Sequence, residues 1–349
     1  MTHVTQGARR AEVECSVVVP THRGAHRLPP LLEALSEQDY DGTWELIVVV
    51  DGDLDETVHV LDVYRDRLPI VVILHTEPLG VVASMNDGIA AAQGRIVMRC
   101  DDDLTPQSDL LRLHMDHHNS ADAVGVIGAT RDVFGDTCYA RAYGLQATER
   151  SLAAAQVRPE SYAWVGWAAN NSVPRRVLID VGGFDERFVY GQDSELGYRL
   201  ALHGVRIISD PGLTSLHRAP SVNVESRASR AFVSGASRRL FDEVHPEAHP
   251  APKAGTGNGP RLWGWLVYCV SFSFRERGAY ARVGFEIDRI LPLVPLKLAQ
   301  RLISLIVEAA GRAGRTYGKS NLALYKSQKV GDLSLELATT KAPRSLVSG

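Results

Sequence analysis

The stretch GRIVMRCDDDLTP, from Gly94 to Pro106, runs from an apolar segment into three consecutive aspartates. Residues 96–100 have the composition of a buried strand, and Pro106 closes the turn that follows. Adjacent carboxylates repel one another unless a cation or hydrogen-bond donors offset their charge. Carboxylate oxygens are the ligands that Mg²⁺ and Mn²⁺ prefer, and ligands of open α/β sheets lie at the carboxyl ends of the strands. The stretch therefore predicts a strand that ends either in a divalent-metal site or in an acidic turn with Asp103 capping the next helix.

Strand and helix patterns alternate along the chain up to these aspartates. The strands are short apolar runs, and the helices carry apolar residues at a spacing of three and four. Alternation at this rhythm predicts an α/β fold with a doubly wound, mostly parallel sheet. The predicted strands cover 15–20, 44–50, 70–74 and 96–100, and the predicted helices between them cover 28–38, 56–66 and 82–93.

The pattern is looser after Pro106. A helix to about residue 119 and a strand over 123–129 continue the alternation, whereas 130–165 carries Gly, Arg and Tyr throughout and is predicted as hairpins and loops. Further on, we predict a short helix from near Pro174, longer helices over 193–203 and 221–241, and short strands over 205–208 and 213–217.

Composition and charge divide the chain into regions. With 349 residues, 45% hydrophobic and 23% charged, it has the make-up of an ordinary globular protein, and a net charge of −3 gives no indication of nucleic-acid binding. From Gly255 onward there are 14 lysines and arginines against 6 aspartates and glutamates, while the preceding part has 24 against 35. A segment rich in proline and glycine separates the two. We therefore predict a flexible N-terminus (1–14), a main domain (15–245), a linker (246–260) and a helical C-terminal extension (261–349).

The spacing of the cysteines and the length of the apolar runs predict where in the cell the protein is located. The four cysteines are scattered and share no CxxC spacing, which indicates reduced thiols and a cytoplasmic protein. The start of the chain lacks the apolar segment of a signal peptide, and no run of about 18 uncharged apolar residues is present. Residues 287–310 form an amphipathic helical pattern, interrupted by Pro292 and Pro295. Basic and apolar residues interleave over 290–307, which fits a helix lying on the inner face of an anionic membrane, packed on the main domain, or packed in a homodimer.

Two further acidic segments are candidates for chemistry. Asp51, at the end of the second predicted strand, can accept a hydrogen bond from a base imide or a sugar hydroxyl, although the segment also fits an ordinary helix cap. Asp193 and Glu195 open a predicted helix after Gly191. A helix N-terminus keeps a carboxylate ionised and able to deprotonate a hydroxyl, or the two residues simply stabilise the helix end.

Histidines offer nitrogen ligands. His217 ends a predicted strand, and a neutral imidazole is a good ligand for Mn²⁺, although a structural role is the alternative. His114, His117 and His118 lie at helical spacing and either share a metal or form part of a solvated helix face.

Five motifs follow one another along the chain. They are VVVPT at 17–21, VVDG at 49–52, DDD at 101–103, GGFDE at 182–186 and GQDSEL at 191–196, the last followed by Arg199 and Leu200. Taken together and in this order, they resemble the family 2 glycosyltransferases of the GT-A fold. The resemblance spans about residues 15–244 and implies a Rossmann-like GT-A domain. It also implies an inverting glycosyltransferase that moves a sugar from a nucleotide-sugar donor, with a UDP-sugar expected, to a hydroxyl acceptor.

The resemblance implies a role for individual residues. Asp193 matches the general base. Asp101 and Asp103 match the motif that holds Mn²⁺ or Mg²⁺ and the donor diphosphate, and His217 matches a histidine that completes the metal site. Trp164 and Trp167 would form a wall on which a sugar stacks, with core packing as the alternative, and Glu195 would orient acceptor hydroxyls or cap its helix. The expected donor contacts are Pro20, Thr21, Arg23, Asp51, Asp101 and Asp102.

The chain departs from the family pattern at three positions, which weakens any inference about the donor sugar. Val50 stands where the family often has the first of two aspartates, Gln192 replaces a glutamate before the base, and Ser84 stands where many members have an arginine. Two other interpretations remain. A sugar-1-phosphate nucleotidyltransferase needs a glycine-rich loop with a lysine after the first strand, which residues 20–24 lack, and a non-catalytic GT-A scaffold would show no transfer.

Overall fold

A sheet of eight strands forms the centre of the computed structural model, which describes residues 12–119, 123–248 and 261–319. The strands are β1 Cys15–Thr21, β2 Trp44–Asp51, β3 Ile70–His75, β4 Ile96–Arg99, β5 Leu104–Pro106, β6 Val124–Asp132, β7 Asn171–Pro174 and β8 Arg206–His217. They lie in the order β3-β2-β1-β4-β7-β6-β8-β5. The first four are parallel to one another, β7 is antiparallel to both of its neighbours, and β5 is antiparallel to β8. The predicted α/β class with a mostly parallel sheet is confirmed.

The helices follow the predicted alternation in the first half of the chain, within a few residues. Their bounds are α1 Leu28–Ser36, α2 Thr57–Asp62, α3 Val81–Ala91, α4 Leu110–Asp116, α5 Leu145–Gln156, α6 Arg175–Asp180, α7 Gln192–Leu202, α8 Val224–Val244, α9 Arg261–Ser273, α10 Arg277–Ile290 and α11 Leu296–Tyr317.

Helices cover both faces of β1, β2 and β4, which explains why these strands are almost continuously apolar. On one face, side chains of β1 and β2 pack with those of α3, such as Met85 and Ile89. On the other face, the alternate side chains of the same strands pack with the leucines of α1. The carboxyl ends of the strands are left uncovered by this packing, and the aspartates follow β4 at that edge.

The far edge of the sheet differs from the prediction. The segments 205–208 and 213–217 form one strand, β8, whose register against β6 shifts between Gly128 and Ala129. Leu104–Pro106, expected to lie in a turn before a helix, forms β5 and pairs with β8 so that Leu104 lies opposite His217. This pairing brings the end of β8 next to the aspartates.

The prediction of hairpins and loops over 130–165 is wrong. After β6 the chain forms a π-helical turn, Ala140–Gly144, which continues directly into α5, and then a 3-10 segment, Glu160–Gly166. Helix α5 buries almost none of its side chains, so its sequence lacks the apolar periodicity on which a prediction depends.

The C-terminal helices share one apolar core with α8. Gly235 of α8 and Gly314 of α11 allow the two backbones to touch, because an added Cβ at Gly314 would lie 1.9 Å from the carbonyl oxygen of Phe232. The carboxylate of Asp288 in α10 accepts hydrogen bonds from the first two backbone N–H groups of α8, over 2.9 and 3.0 Å. The helical character of the C-terminal region is confirmed. The domain boundaries remain a prediction, since 249–260 and 320–349 lie outside the described residues, as does 1–11.

The amphipathic pattern over 290–307 belongs mainly to α11. Ile303, Ile306 and Val307 are buried in the core that α11 shares with α8, whereas Leu293, Leu296 and Leu298 are exposed. The later part of this segment therefore packs on the main domain, while its contact with a membrane or a second copy stays a prediction. In the described part of the chain, no helix combines the length and apolar character needed to cross a bilayer.

Candidate active site

Arg99, the last residue of β4, connects the aspartate triplet to the start of α7. Its side chain is buried. Nε and Nη2 donate to the Asp101 carboxylate over 2.9 and 3.3 Å, and Nη1 donates to Oδ1 of Asp193. The structure thus brings together two predicted site residues from motifs that lie far apart in the sequence. Arg99 was not predicted as a site residue, although a charged residue inside an otherwise apolar strand indicates that it has buried partners.

His217 lies between two carboxylates. Its Nε2 is 3.3 Å from Oδ2 of Asp103, and its Nδ1 is 2.6 Å from Oδ1 of Asp132, at the end of β6. Burial lowers the pKa of His217, but the hydrogen bonds and charges of the two carboxylates outweigh it and raise the pKa to about 9. Burial also raises the pKa of each carboxyl, and the histidine outweighs this effect and holds both below their usual range. Asp132 was not predicted, because nothing in the sequence pairs the end of β6 with that of β8.

This cluster can supply part of a metal site. Among the described residues, no group of three or more His, Cys, Asp or Glu side chains is arranged to hold a metal ion. Asp103 and His217 nevertheless lie side by side, and once Nε2 gives up its proton to solvent they present an oxygen and a nitrogen donor, which suits Mn²⁺. Asp132 on Nδ1 is the kind of outer partner that orients a metal-ligating histidine. These residues fit a divalent ion whose other ligands come from water or a diphosphate, as is usual for Mg²⁺.

Asp102, the middle aspartate, points away from this cluster. Arg27, just before α1, donates to both of its oxygens, over 3.1 and 2.8 Å, and the hydroxyl of Thr21 donates to Oδ2 over 2.6 Å. Burial raises the pKa of Asp102 above its usual range, against the opposing effect of Arg27. Asp102 therefore fixes the loop after β1 through Thr21 and Arg27. Its contact with the donor stays a prediction.

Asp51 is buried at the end of β2 and also has protein partners. Its carboxylate accepts hydrogen bonds from the backbone N–H groups of Leu79 and Gly80, over 2.6 and 2.8 Å, and lies 2.9 Å from Nδ1 of His75. The carboxylate therefore shapes the loop that leads into α3. A carboxylate has about four acceptor positions, so a contact with a nucleotide base stays a prediction for Asp51.

The loop after β1 runs beside Asp51. Pro20 and Thr21 are buried at the end of β1, and the ring Nδ1 of His22 lies 2.7 Å from the backbone oxygen of Asp51. Arg23 has a left-handed backbone conformation, with a φ of 53°. Its Nε is buried and has no hydrogen-bond partner among the described residues. The structure thus places the loop where the sequence predicted a donor contact, and that contact stays a prediction.

Helix α7 begins where the sequence predicted, after a left-handed Gly191 with a φ of 73°. Asp193 is partly exposed in its first turn. Glu195, in contrast, is fully buried, forms an ion pair with Arg199 over 2.7 Å, and is hydrogen-bonded to Nε2 of His245 over 3.0 Å. Glu195 therefore holds α7 in place, and its predicted role in orienting an acceptor does not hold.

Asn86 fixes the loop that precedes α7, and its role was also missed. Its side-chain amide donates to the backbone oxygen of Phe184 over 2.9 Å and accepts from the N–H of the same residue over 2.8 Å. Gly183 has a φ of 66°, and an added Cβ there would lie 2.6 Å from Oδ1 of Asn86. The ring of Phe184 lies against the guanidinium of Arg99, 5.8 Å away. The GGFDE motif therefore helps to hold the buried guanidinium of Arg99 in place, through Phe184.

The predicted sugar-stacking wall is wrong. Trp164 and Trp167 are 4% and 1% exposed and belong to the core under the sheet. Trp164 stacks on Phe241 of α8, with ring centroids 5.6 Å apart. Trp167 packs against Gly197 of α7. Their burial leaves no ring face for a ligand, so core packing, the alternative, is what the structure shows.

The three histidines of the α4 region do not share a metal. Nδ1 and Nε2 of His114 lie 2.8 and 2.9 Å from side-chain oxygens of Ser172 and Asn170. His118 Nε2 lies 2.8 Å from the same serine oxygen, and His117 pairs with Asp210. Burial lowers the pKa of His114 to about 4 and that of His118 to about 3. The expectation of a solvated helix face is therefore also wrong for these two residues.

The chain resembles known proteins in sequence and in fold. Residues 16–154 match the family model described as glycosyl transferase family 2. The chain contains a family 2 glycosyltransferase domain. It is a glycosyltransferase that takes its sugar from a nucleotide-sugar donor.

Relatives of this glycosyltransferase match across most of its length. An uncharacterized glycosyltransferase of Bacillus subtilis, YfnE, is 24% identical over 277 residues, which cover 63% of this chain and 70% of YfnE. The glucosyl-dolichyl phosphate glucuronosyltransferase of Haloferax volcanii is 25% identical over 236 residues, 62% of this chain and 73% of that protein. Among solved structures, the mannosyltransferase PcManGT from Pyrobaculum calidifontis, in complex with GDP-Man and Mn²⁺, has a TM-score of 0.55 at 18% identity, with 86% of each chain covered. The fold is that of the GT-A glycosyltransferases.

The burial of His114 and His118 predicts that the protein loses stability in mild acid. In the unfolded chain both would titrate near pH 6.5, whereas the folded protein keeps them neutral down to about 4 and 3. The unfolded state therefore binds more protons as the pH falls below about 6.5. Each histidine should then lower the free energy of unfolding by about 1.4 kcal/mol per pH unit.

Urea unfolding at pH 7.0, 6.0 and 5.0 measures this slope. His118→Gln should flatten it, while His59→Gln, an exposed position on α2, should leave it unchanged. A free energy of unfolding that stays constant between pH 7 and 5 would contradict the prediction.

Proposed function

We propose that this glycosyltransferase moves a sugar, with inversion at the anomeric carbon, from a UDP-sugar to a hydroxyl acceptor, with Asp193 as the general base. The observation that carries the proposal is the position of Asp193 beside Asp101, both bonded to Arg99. A donor held at the aspartates after β4 would thus present its sugar next to the first turn of α7. The acceptor would lose its proton to Asp193 as its oxygen attacks the anomeric carbon.

A Mn²⁺ or Mg²⁺ ion is part of the proposal. Asp103 and His217 would hold it, with Asp101 as a third ligand that is paired with Arg99 in this structure. When bound, the ion neutralises charge that develops on the leaving diphosphate. Asp132 supports this assignment, because it accepts from Nδ1 and so leaves Nε2 directed at Asp103.

The donor nucleotide is the least constrained part of the proposal. Asp51 and the loop with Arg23 lie together where a base would bind, but their contacts suit more than one nucleotide. The GDP-Man bound by PcManGT makes GDP the alternative to UDP. A thermal-shift panel of UDP-, GDP-, ADP- and dTDP-sugars, with and without Mn²⁺, separates them. A ligand at 100 times its Kd adds about 2.7 kcal/mol of stability.

The first test concerns the metal. EDTA should abolish transfer, and Mn²⁺ or Mg²⁺ should restore it, because Asp103 and His217 alone cannot neutralise the leaving diphosphate. Asp103→Ala should weaken binding of the nucleoside diphosphate, as measured by calorimetry in the presence of Mn²⁺. Asp62→Ala, a surface carboxylate paired with Arg65, is the matched control. Full activity in chelator would rule out the metal assignment.

The second test concerns the base. Asp193→Asn keeps the size of the side chain but cannot take a proton, so transfer should slow by about 10² to 10⁴-fold. The affinities for donor and metal should stay near native, since the residues proposed to bind them lie at strand ends, whereas Asp193 lies in α7. Glu195→Gln should instead lower stability, because it leaves Arg199 without its buried partner. A folded Glu195→Gln variant without activity, beside a fully active Asp193→Asn variant, would show that the base is misassigned.

We also propose that the C-terminal region contacts an anionic membrane, through α9 rather than α11. One face of α9 exposes Leu262, Trp265, Tyr268 and Phe272, each at 50% or more. Arg312 lies over the ring of Tyr268, 5.3 Å away, and Arg275 over that of Phe272, 4.5 Å away. Exposed aromatic residues beside arginines suit the interface between headgroups and acyl chains.

The basic surroundings favour an anionic bilayer over a second copy of the same face, which would carry the same charge. A cytoplasmic location stays a prediction.

Co-sedimentation with phosphatidylcholine vesicles tests this surface, with and without phosphatidylglycerol. The full chain should bind the anionic vesicles and release at high salt. The double variant Trp265→Ser and Phe272→Ser should bind about tenfold or more weakly, because each ring contributes roughly 1.5–3 kcal/mol of burial. Val157→Ser, 71% exposed on the main domain, is the matched control. No binding at low salt, or a dimer disrupted by the double variant, would overturn the proposal.

A further inference from the structure

Arg99 is a buried cation whose contacts are divided between two separate parts of the site. One side of the guanidinium faces Asp101, the residue that begins the aspartate triplet. The remaining terminal nitrogen faces Asp193, in the first turn of α7. The side chain of Arg99 is only 5% exposed, compared with 32% for Asp101 and 21% for Asp193. The cation thus lies beneath two carboxylates that are open to ligands.

The surroundings fix the direction of this guanidinium. Phe184 lies against it, and Asn86 holds the backbone of Phe184 through two hydrogen bonds. A planar guanidinium presents its donors in a rigid fork, which an ammonium group cannot reproduce. The orientation of Arg99 therefore sets the position of whatever carboxylate it holds.

The two oxygens of Asp193 have different partners. Oδ1 accepts from Nη1 of Arg99, whereas the partner of Oδ2 within the described residues is the amide of Gln192, 3.5 Å away. An oxygen that already accepts from a guanidinium is less available to a second proton. Oδ2, which is held only by this long hydrogen bond within the described residues, is the oxygen left to meet an acceptor hydroxyl.

We propose that Arg99 is a positioning residue for the base: it holds Oδ1 of Asp193 and thereby presents Oδ2 to the acceptor. This inference rests on the proposed role of Asp193. In the step itself, the acceptor O–H proton passes to Oδ2 and a bond forms between the acceptor oxygen and the anomeric carbon. The bond from that carbon to the diphosphate oxygen breaks, and the diphosphate leaves with the electron pair.

The kinetic effect of removing Arg99 depends on whether Arg99 acts through Asp193 or through Asp101. If Arg99 acted mainly on Asp101, its removal would disturb the donor and raise the donor KM. If it acts on Asp193, the donor KM should stay within about twofold, and kcat should fall by roughly 10²-fold, the cost of misplacing a reacting group by about 1 Å.

A double-mutant cycle tests the proposal in the full chain. Arg99→Met removes the charge at similar length, and Arg99→Lys keeps the charge without the fork. Each is made alone and together with Asp193→Asn, and kcat, both KM values and the Kd of the nucleoside diphosphate are measured. Arg67→Met, at an exposed ion pair with Glu33, is the control arginine. We expect Arg99→Lys to keep more activity than Arg99→Met, and the double variants to be no slower than Asp193→Asn alone, since residues that act as a unit are non-additive.

Each outcome has a distinct meaning. The inference would be overturned if the Arg99 substitution lowered kcat by the same factor in the Asp193→Asn background as in the wild type. It would also be overturned if the Arg99 substitution raised the donor KM and left kcat unchanged. A fully active Asp193→Asn variant would instead refute the proposed base itself. If Arg99→Met does not fold, the cycle with Arg99→Lys decides, with the thermal midpoint and the Kd of the nucleoside diphosphate reporting an intact fold.

Discussion

Repulsion between three adjacent carboxylates is the constraint around which this site is built. Each aspartate after β4 has a positively charged partner from a different part of the fold. Asp101 pairs with Arg99 at the end of β4, Asp102 with Arg27 before α1, and Asp103 with His217 at the end of β8. The three partners draw the side chains in different directions, so the negative charge does not accumulate at one point.

The fold was largely predictable because its strands are buried on both faces. A strand covered by helices on either side must be apolar throughout, and this signal survives in a single sequence, as in residues 46–50. Helix α5 and strand β5 gave no such signal. The first buries almost nothing, and the second is three residues long and depends on pairing with β8, more than a hundred residues away.

The site was predictable in its residue types but not in its partners. The sequence indicated which carboxylates lie at strand ends, because each predicted strand is an apolar run and the carboxylates follow where such a run stops. It could not show which of them point into the protein, because direction depends on contacts between distant segments, such as that of Asp102 with Arg27. The same limit applies to Trp164 and Trp167, where an aromatic pair suits a ligand wall and a core equally well, and only burial separates the two.

Helix α8 has consequences for how the chain can be divided. Near its start it packs against α10, at its middle against α11, and near its end Phe241 stacks on Trp164 under the sheet. His245, just beyond it, pairs with Glu195 in the helix that carries Asp193. At 1.5 Å per residue, its 21 residues span about 32 Å. A shortened enzyme that ended at residue 245 would keep every motif of the family, yet expose the apolar flank of the helix that supports α7. Helices α9, α10 and α11 thus support the catalytic half through α8, and a minimal version of this enzyme would have to include them.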